Sequence, residues 1–316
     1  MRRSSSLILL ASLLSTPLYA ADAREWLARM VDSTDRQNFR GTFIYERSGN
    51  FSTHRIWHLA QGAAPRERLL QLDGLEQEVV LADGRVLCAS GSLLEQQAGA
   101  QQWAGRKLDV ARLEDVYELK AMGDSRVAGR PAVVLLLLPR DANRYARELQ
   151  LDSATGLPLK SLLLNGQGQL LERLQFTSLE PDASLDSQEL QPVTDCRALA
   201  KAATTQAVAS DWAIGWMPAG FMQVGILQER SATSGQPVQT LMFDDGLARF
   251  SIFIEALGDA RVSSAHLQVG PTVVVSRPIS TANGQFMATV VGEVPLPTAE
   301  RIALSVGPRT AGEQQP

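Results

Sequence analysis

Between residues 39 and 178 one strand-length run follows another, with no segment between them that reads as a helix of crossover length. Parallel neighbours need a crossover of a dozen or more residues, so this succession points to an antiparallel sheet and away from a parallel nucleotide-binding one. The first run, FRGTFIYERSGNFSTHRIWHL at residues 39–59, sets the pattern. Phe43 and Tyr45 alternate with Thr42, Ile44 and Glu46. After a three-residue turn at Ser48-Gly49-Asn50, the residues Thr53, Arg55, Trp57 and Leu59 alternate with Ser52, His54, Ile56 and His58. The expected element is a half-covered hairpin, its large rings against a core and its Ser, His and Glu positions toward water or a polar cavity.

Further strands are expected at 66–72 and 76–81, then at 85–89 beyond an Asp83-Gly84 turn. Residues 91–105, rich in Gln, Ala and Gly, read as a loop, and 109–120 as a short helix with Leu113, Val116 and Tyr117 inward. The apolar run 133–138, bounded by Pro131 and Pro139, reads as a strand buried on both faces. Strands at 145–151, 157–165 and 169–178 complete a meander, with turns at Ala154-Thr155-Gly156 and Asn165-Gly166. Ahead of the sheet, Asp22 caps a helix with Glu25 three residues on. Trp26, Leu27, Met30 and Val31 form its apolar stripe.

Residues 1–20 read as a signal peptide: Arg2 and Arg3, an apolar centre from Leu7 to Leu14, and small residues after Leu18-Tyr19. The centre is too short for a span of about 20 apolar residues, so a periplasmic protein beginning near Ala21 is expected. No cysteine lies near the cut to carry a lipid. In an oxidising compartment Cys88 and Cys196 either pair or remain two buried thiols, and spacing alone does not decide between them. Without Arg2 and Arg3 the chain carries 28 basic against 34 acidic residues, net −6, with no basic block. That excludes the electrostatic footprint of a nucleic-acid binder.

A domain of residues 21–180 is followed by a connector at 181–210, where Pro, Ser, Asp, Ala and Thr replace the strand pattern, with a short helix at 198–209 as one option. Residues 211–316 form a second, smaller antiparallel β domain. Its strands are expected at 222–229, 239–243, 247–255, 272–276 and 285–291, with a closing helix at 299–306 capped by Thr298. On the strand after Asp244-Asp245-Gly246, Ala248, Phe250, Ile252 and Ile254 face one way and Leu247, Arg249, Ser251, Phe253 and Glu255 the other.

Catalytic constellations are not legible. His54 and His58 lie four apart on a strand, without a third metal ligand nearby in sequence, and read as polar strand-face residues. Asn165-Gly166-Gln167-Gly168 joins two strands and opens no helix, unlike a phosphate loop. Asp244 and Asp245 read as solvent-facing turn residues. No nucleophile elbow, metalloprotease His pair or Cys/His context is present. A hydrolase therefore has no residues to stand on, and no cofactor or metal is expected.

Three stretches, GTFIYERSGNFSTHRIWH, RERLLQLDGLEQEVV and SRVAGRPAVVLLLLPRDANRYARELQLDSATGLPLKSLLL, resemble the N-terminal domain of the MucB/RseB family, periplasmic regulators of the sigma-E/AlgU-type envelope-stress sigma factor. WMPAGF, DDGLARFSIFIE and VVGEVPLPTAERIALSV resemble its C-terminal domain in the same order. The resemblance implies a mainly β, α+β fold: a LolA/LolB-like unclosed antiparallel barrel with covering helices and an apolar cavity for acyl chains, plus the smaller C-terminal domain. It also implies a regulator that is not an enzyme. Such a regulator binds the periplasmic domain of a membrane-spanning anti-sigma factor of the MucA/RseA type, shields it from proteolysis, and is released by lipopolysaccharide or mislocalised lipoprotein. A plain LolA-type lipid carrier is the alternative, though a carrier needs only the first domain. If the Phe250 face is core, Arg249, Phe253 and Glu255 are the residues expected to meet the partner. The oligomeric state, homo-oligomer included, stays open.

Overall fold

The computed structural model describes residues 22–60, 65–91, 108–193, 195–198, 210–231, 234–258 and 262–309. The signal segment, and all but the first residue of both the Gln-rich loop and the optional helix at 198–209, lie outside these.

In the first domain, α1 (Ala23–Arg36) begins at Asp22, whose carboxylate accepts the Glu25 amide at 2.8 Å. Then come β1 (Phe39–Arg47), β2 (Asn50–Leu59), β3 (Arg66–Gln71), β4 (Glu78–Ala82), β5 (Arg85–Ala89), α2 (Val110–Val116), β6 (Tyr117–Val127), β7 (Arg130–Pro139), β8 (Ala146–Asp152), β9 (Pro158–Leu164) and β10 (Leu170–Pro181). A short 3-10 turn, Ser187–Leu190, and a two-residue strand β11 (Arg197–Ala198) follow, so the expected connector carries structure of its own. All pairings are antiparallel in one unclosed 11-stranded sheet, ordered β11-β5-β4-β3-β2-β1-β10-β9-β8-β7-β6.

A single row of registered residues, Tyr45, Leu174, Ser161, Leu149 and Leu135, crosses five strands and defines the inner face. Both helices lie on it. Leu27, Leu113, Val116 and Tyr117 pack there with Leu135, Leu137, Leu149 and Leu151. Each such side chain contributes about 1.5–3 kcal/mol on burial. The far end of α1 is pinned to the β8–β9 turn, where Ser33 Oγ donates to the Thr155 carbonyl. A side chain at Gly156 would meet Arg29 Cγ at 2.8 Å. Beside the helices, Phe39, Phe43, Leu157 and Phe176 fill the inner face over β1, β2 and β10.

Several expectations are corrected here. The β1–β2 turn has two residues, Ser48 and Gly49, at φ 55° and 77°, the left-handed pair that suits a tight hairpin, and Asn50 is already paired with Arg47. The helix expected to Lys120 ends at Val116; Tyr117 opens β6, an edge strand whose middle is exposed and therefore lacks alternation. In β7, Leu135 and Leu137 are buried while Val134, Leu136 and Leu138 are only partly so, because the helices cover one face alone. His54 and His58 do not face water. They are 7% and 4% exposed, stacked on Phe43 and Phe39 with ring centroids 5.3 and 4.7 Å apart. A cleft of about 410 Å³ opens on the outer face, lined by charged groups including Arg40, Arg55, Glu180 and Glu189.

The second domain comprises β12 (Trp212–Ile214), β13 (Met222–Arg230), β14 (Pro237–Asp244), β15 (Arg249–Ala256), β16 (Ala265–Val269), β17 (Thr272–Thr281), β18 (Gly284–Gly292), α3 (Leu296–Ser305) and β19 (Val306–Pro308). Its six-stranded sheet runs β13-β14-β15-β18-β17-β16, with β12 pairing β19. Helix α3 packs on β17 and β18 over a core including Phe250, Ile252, Val273, Val290 and Ile302. It starts three residues before the expected position, with Pro297 in its first turn where no intrahelical N–H is needed. Thr298 is thus a buried helical residue and not the cap.

Candidate partner-binding site

The three residues expected to meet a partner sit on β15, each facing away from α3. Phe250, Ile252 and Ile254 are 1%, 0% and 2% exposed, so the period-two split between faces is realised. On the other face Arg249 is exposed and registered with Asp244. Phe253 is half-buried between Thr240 and Thr289, and Glu255 lies between Val238 and Met287, accepting from the Ser234 hydroxyl. Ser251, in the same row, is buried, as are Thr240 and Met242 opposite Phe253 and Ser251. The row is therefore covered at its middle and open at its Arg249 end.

Cys88 and Cys196 are bonded, with Cα atoms 5.4 Å apart. The bond closes β11 onto the outer edge of the first sheet, where Ala198 registers with Cys88. Nearby, Arg68 reaches the fully buried Glu78 and donates to the Glu189 carbonyl at 3.0 Å, while Glu78 accepts the Val193 amide at 2.9 Å. The segment after β10 is thus held to its own sheet by charge and by sulfur.

Sequence reading missed the seam between the domains. Asp244 and Asp245 were expected in solvent, but they are 7% and 1% exposed. Their turn is self-bonded. Asp244 Oδ1 accepts the Gly246 amide at 2.6 Å, and Asp245 Oδ1 accepts those of Leu247 and Ala248 at 2.9 and 2.7 Å. Gly246 supplies the positive φ of 106° that lets the chain double back. The turn then presents Leu247 to the first domain's core cluster around Leu113 and Val116.

Beside Leu247, Asp245 Oδ2 lies 2.9 Å from Arg144 Nε and 3.4 Å from the Tyr117 hydroxyl, both on the first domain. The arginine contact is out of line for a hydrogen bond and is ionic. Arg144 is braced in its own loop by Asp141 at 3.1 Å, donates through Nη2 to the Ala219 carbonyl at 2.5 Å, and lies over the Phe221 ring at 5.2 Å. Burial pushes the Asp245 carboxyl above the usual range, against the pull of the Leu247 and Ala248 amides and of Arg144. Burial likewise pushes the Tyr117 phenol up, assisted by Asp245.

Flanking contacts extend the seam. The Tyr145 hydroxyl, its pKa pushed up to about 12 by burial and then by Glu293, donates to the Val294 carbonyl at 3.1 Å. Arg112 donates to the Gly220 carbonyl at 3.2 Å, and Arg47 to the Thr272 hydroxyl. No sequence signal marks Arg144, since its role depends on a domain about a hundred residues away. The only hint in Asp244-Asp245-Gly246 is its turn chemistry.

The two histidines make separate contacts. His54 Nε2 is 2.8 Å from Ser52 Oγ, and His58 Nδ1 is 2.8 Å from Glu67, a carboxylate brought alongside by β3. Burial lowers the His54 pKa, against a weaker pull from Asp73.

This two-domain architecture has known counterparts. Residues 22–194 match the MucB/RseB N-terminal domain and residues 206–307 the MucB/RseB C-terminal domain. The chain is similar to the sigma factor AlgU regulatory protein MucB of Pseudomonas aeruginosa, 51% identical over 316 residues that cover 99% of this chain and 100% of the relative. It is also similar to the solved Pseudomonas aeruginosa MucA/MucB complex, at TM-score 0.82 and 52% identity over 92% of this chain and 99% of that one. The solved structure of MucB alone gives TM-score 0.68 at 49% identity over 91% and 98%. Matched across both domains, with its first domain docked on its second, the chain belongs to the MucB/RseB family.

Proposed function

We propose that the protein is a periplasmic negative regulator that binds the periplasmic domain of a membrane-spanning anti-sigma factor of the MucA/RseA type and shields it from proteolysis until a lipid signal releases it. The carrying observation is the two-domain likeness to MucB in the solved MucA/MucB complex. A flexible anti-sigma segment that orders on this surface loses the extended form a protease needs. A lipid, either lipopolysaccharide or mislocalised lipoprotein, that prefers a conformation binding the segment less well would shift the population and release it. Arg249, Phe253 and Glu255 are proposed contacts, with Arg249 the most accessible. A simple lipid carrier is less favoured, since it would not require the second domain that Leu247 and Asp245 dock so closely.

The test is titration calorimetry of the mature chain against the purified anti-sigma periplasmic domain, followed by digestion of that domain by its protease with and without lipopolysaccharide. Binding, protection, and loss of both on adding lipopolysaccharide are expected. Binding without protection would overturn the shielding, and protection indifferent to lipopolysaccharide and to lipoprotein would overturn the release.

A further inference from the structure

Asp245 and Arg144 are shut off from water at 0% and 1% side-chain exposure, yet they belong to different domains. One oxygen of Asp245 receives the amides of its own turn, and the other faces Arg144 and Tyr117. Arg144 in turn reaches the Ala219 carbonyl and the Phe221 ring of the second domain. With the domains parted, both charges are hydrated. With them docked, each is matched. A half-open seam strands at least one charge in a low dielectric with neither water nor its partner, so intermediate arrangements are the costly ones. The apolar contact of Leu247 with the Leu113 cluster has no such selectivity, because it is non-directional and leaves no unpaired charge when partly open. The chain as a whole superposes better on the solved MucA/MucB complex, at TM-score 0.82, than on MucB alone, at 0.68, a difference between those two structures at nearly equal identity and coverage.

We infer that Arg144 and Asp245 are positioning residues for partner binding: they do not touch the anti-sigma segment but fix the second domain against the first, so that one segment meets both at once. This rests on the proposed function. Docking is then all-or-none, and the competent fraction of the protein sets its apparent affinity.

The test compares full-length mature chains: wild type, Arg144→Met, and the pair Arg144→Met with Asp245→Asn. Asparagine keeps the oxygen that receives the Leu247 and Ala248 amides while removing the charge that Arg144→Met leaves unmatched. Small-angle scattering reads the docking, and titration calorimetry reads affinity for the purified anti-sigma periplasmic domain. Arg144→Met is expected to expand the particle and weaken binding at least about tenfold, and the pair to recover both, to within about threefold in affinity. An expanded Arg144→Met that binds like wild type overturns the positioning role, and one that stays compact overturns the lock. Should Arg144→Met fail to fold by near-ultraviolet dichroism, Tyr117→Phe, which removes only a hydroxyl from Asp245, is measured instead. Unchanged size and affinity there also count against the inference. A wild-type chain that fails to bind overturns the proposed function itself and this inference with it.

Discussion

Arg68 and Arg144 are both buried against carboxylates, with side-chain exposures of 7% and 1%, but one sits inside a sheet and the other between domains. Arg68 meets Glu78 across neighbouring strands only ten residues apart in sequence. That pair forms as soon as β3 and β4 fold, and Trp57, the Glu189 carbonyl and the Val193 amide close around it. Arg144 meets Asp245 only after two domains have folded and docked. The same chemistry therefore does different things. The first pair fixes which backbone segments lie together within a domain, whereas the second fixes which of two domain arrangements exists. Buried ion pairs are weak evidence for net stability, and specificity of arrangement is the better account of this one.

The largest expected effect separates the two arginines. Arg68→Met removes the guanidinium from a fully buried carboxylate and should lower the unfolding free energy by about 3–5 kcal/mol. Chemical denaturation should show this loss, with the scattering radius of the folded protein unchanged. An expanded but otherwise stable particle would erase the distinction from Arg144. Next, opening the Cys88–Cys196 bond, which closes a separation of 108 residues, should cost about 2–4 kcal/mol by freeing the unfolded chain. Replacing both cysteines by alanine tests this in the same denaturation, and docking should again be untouched.

A smaller change probes the seam from its backbone. Gly220 has φ 82°, and a Cβ there would lie 2.4 Å from Val116 Cγ1 of the first domain. Gly220→Ala should destabilise docking by about 1–3 kcal/mol, seen as an expanded particle with normal secondary structure. The smallest effect belongs to the inner face. Because burial lowers the His54 pKa, the folded chain binds fewer protons than the unfolded chain just below the ordinary histidine value of 6.5. Its contribution is complete above that value and is lost as pH falls toward the lowered one. Stability measured from pH 7 to 5 should fall less steeply in His54→Phe, which keeps the stack on Phe43, than in wild type.

What the sequence made legible follows from period and turn chemistry. Alternation on β15 separated Phe250, Ile252 and Ile254 from Arg249, Phe253 and Glu255, because one face of that sheet is core. Strands without a buried face gave no such signal. The five residues of β16 are all exposed, and β6 is mostly so, which let the α2 pattern be extended over its start. The histidines lie inward against what their residue type suggests, because stacking on Phe39 and Phe43 suits an imidazole ring to the inner face. Asp245 was misplaced for a different reason. Its turn has the expected local chemistry, and only a partner surface on another domain turns it inward.

The central claim is that docking of the two domains and binding of the anti-sigma segment are one equilibrium. The amides of Leu247 and Ala248, held on Asp245 within the seam, report that docking directly. Hydrogen exchange at these two amides should slow when the anti-sigma periplasmic domain is added to the full mature chain, by about the factor by which binding lowers the undocked fraction. Exchange there that is unchanged by saturating partner, in a sample where binding is confirmed, would contradict the account.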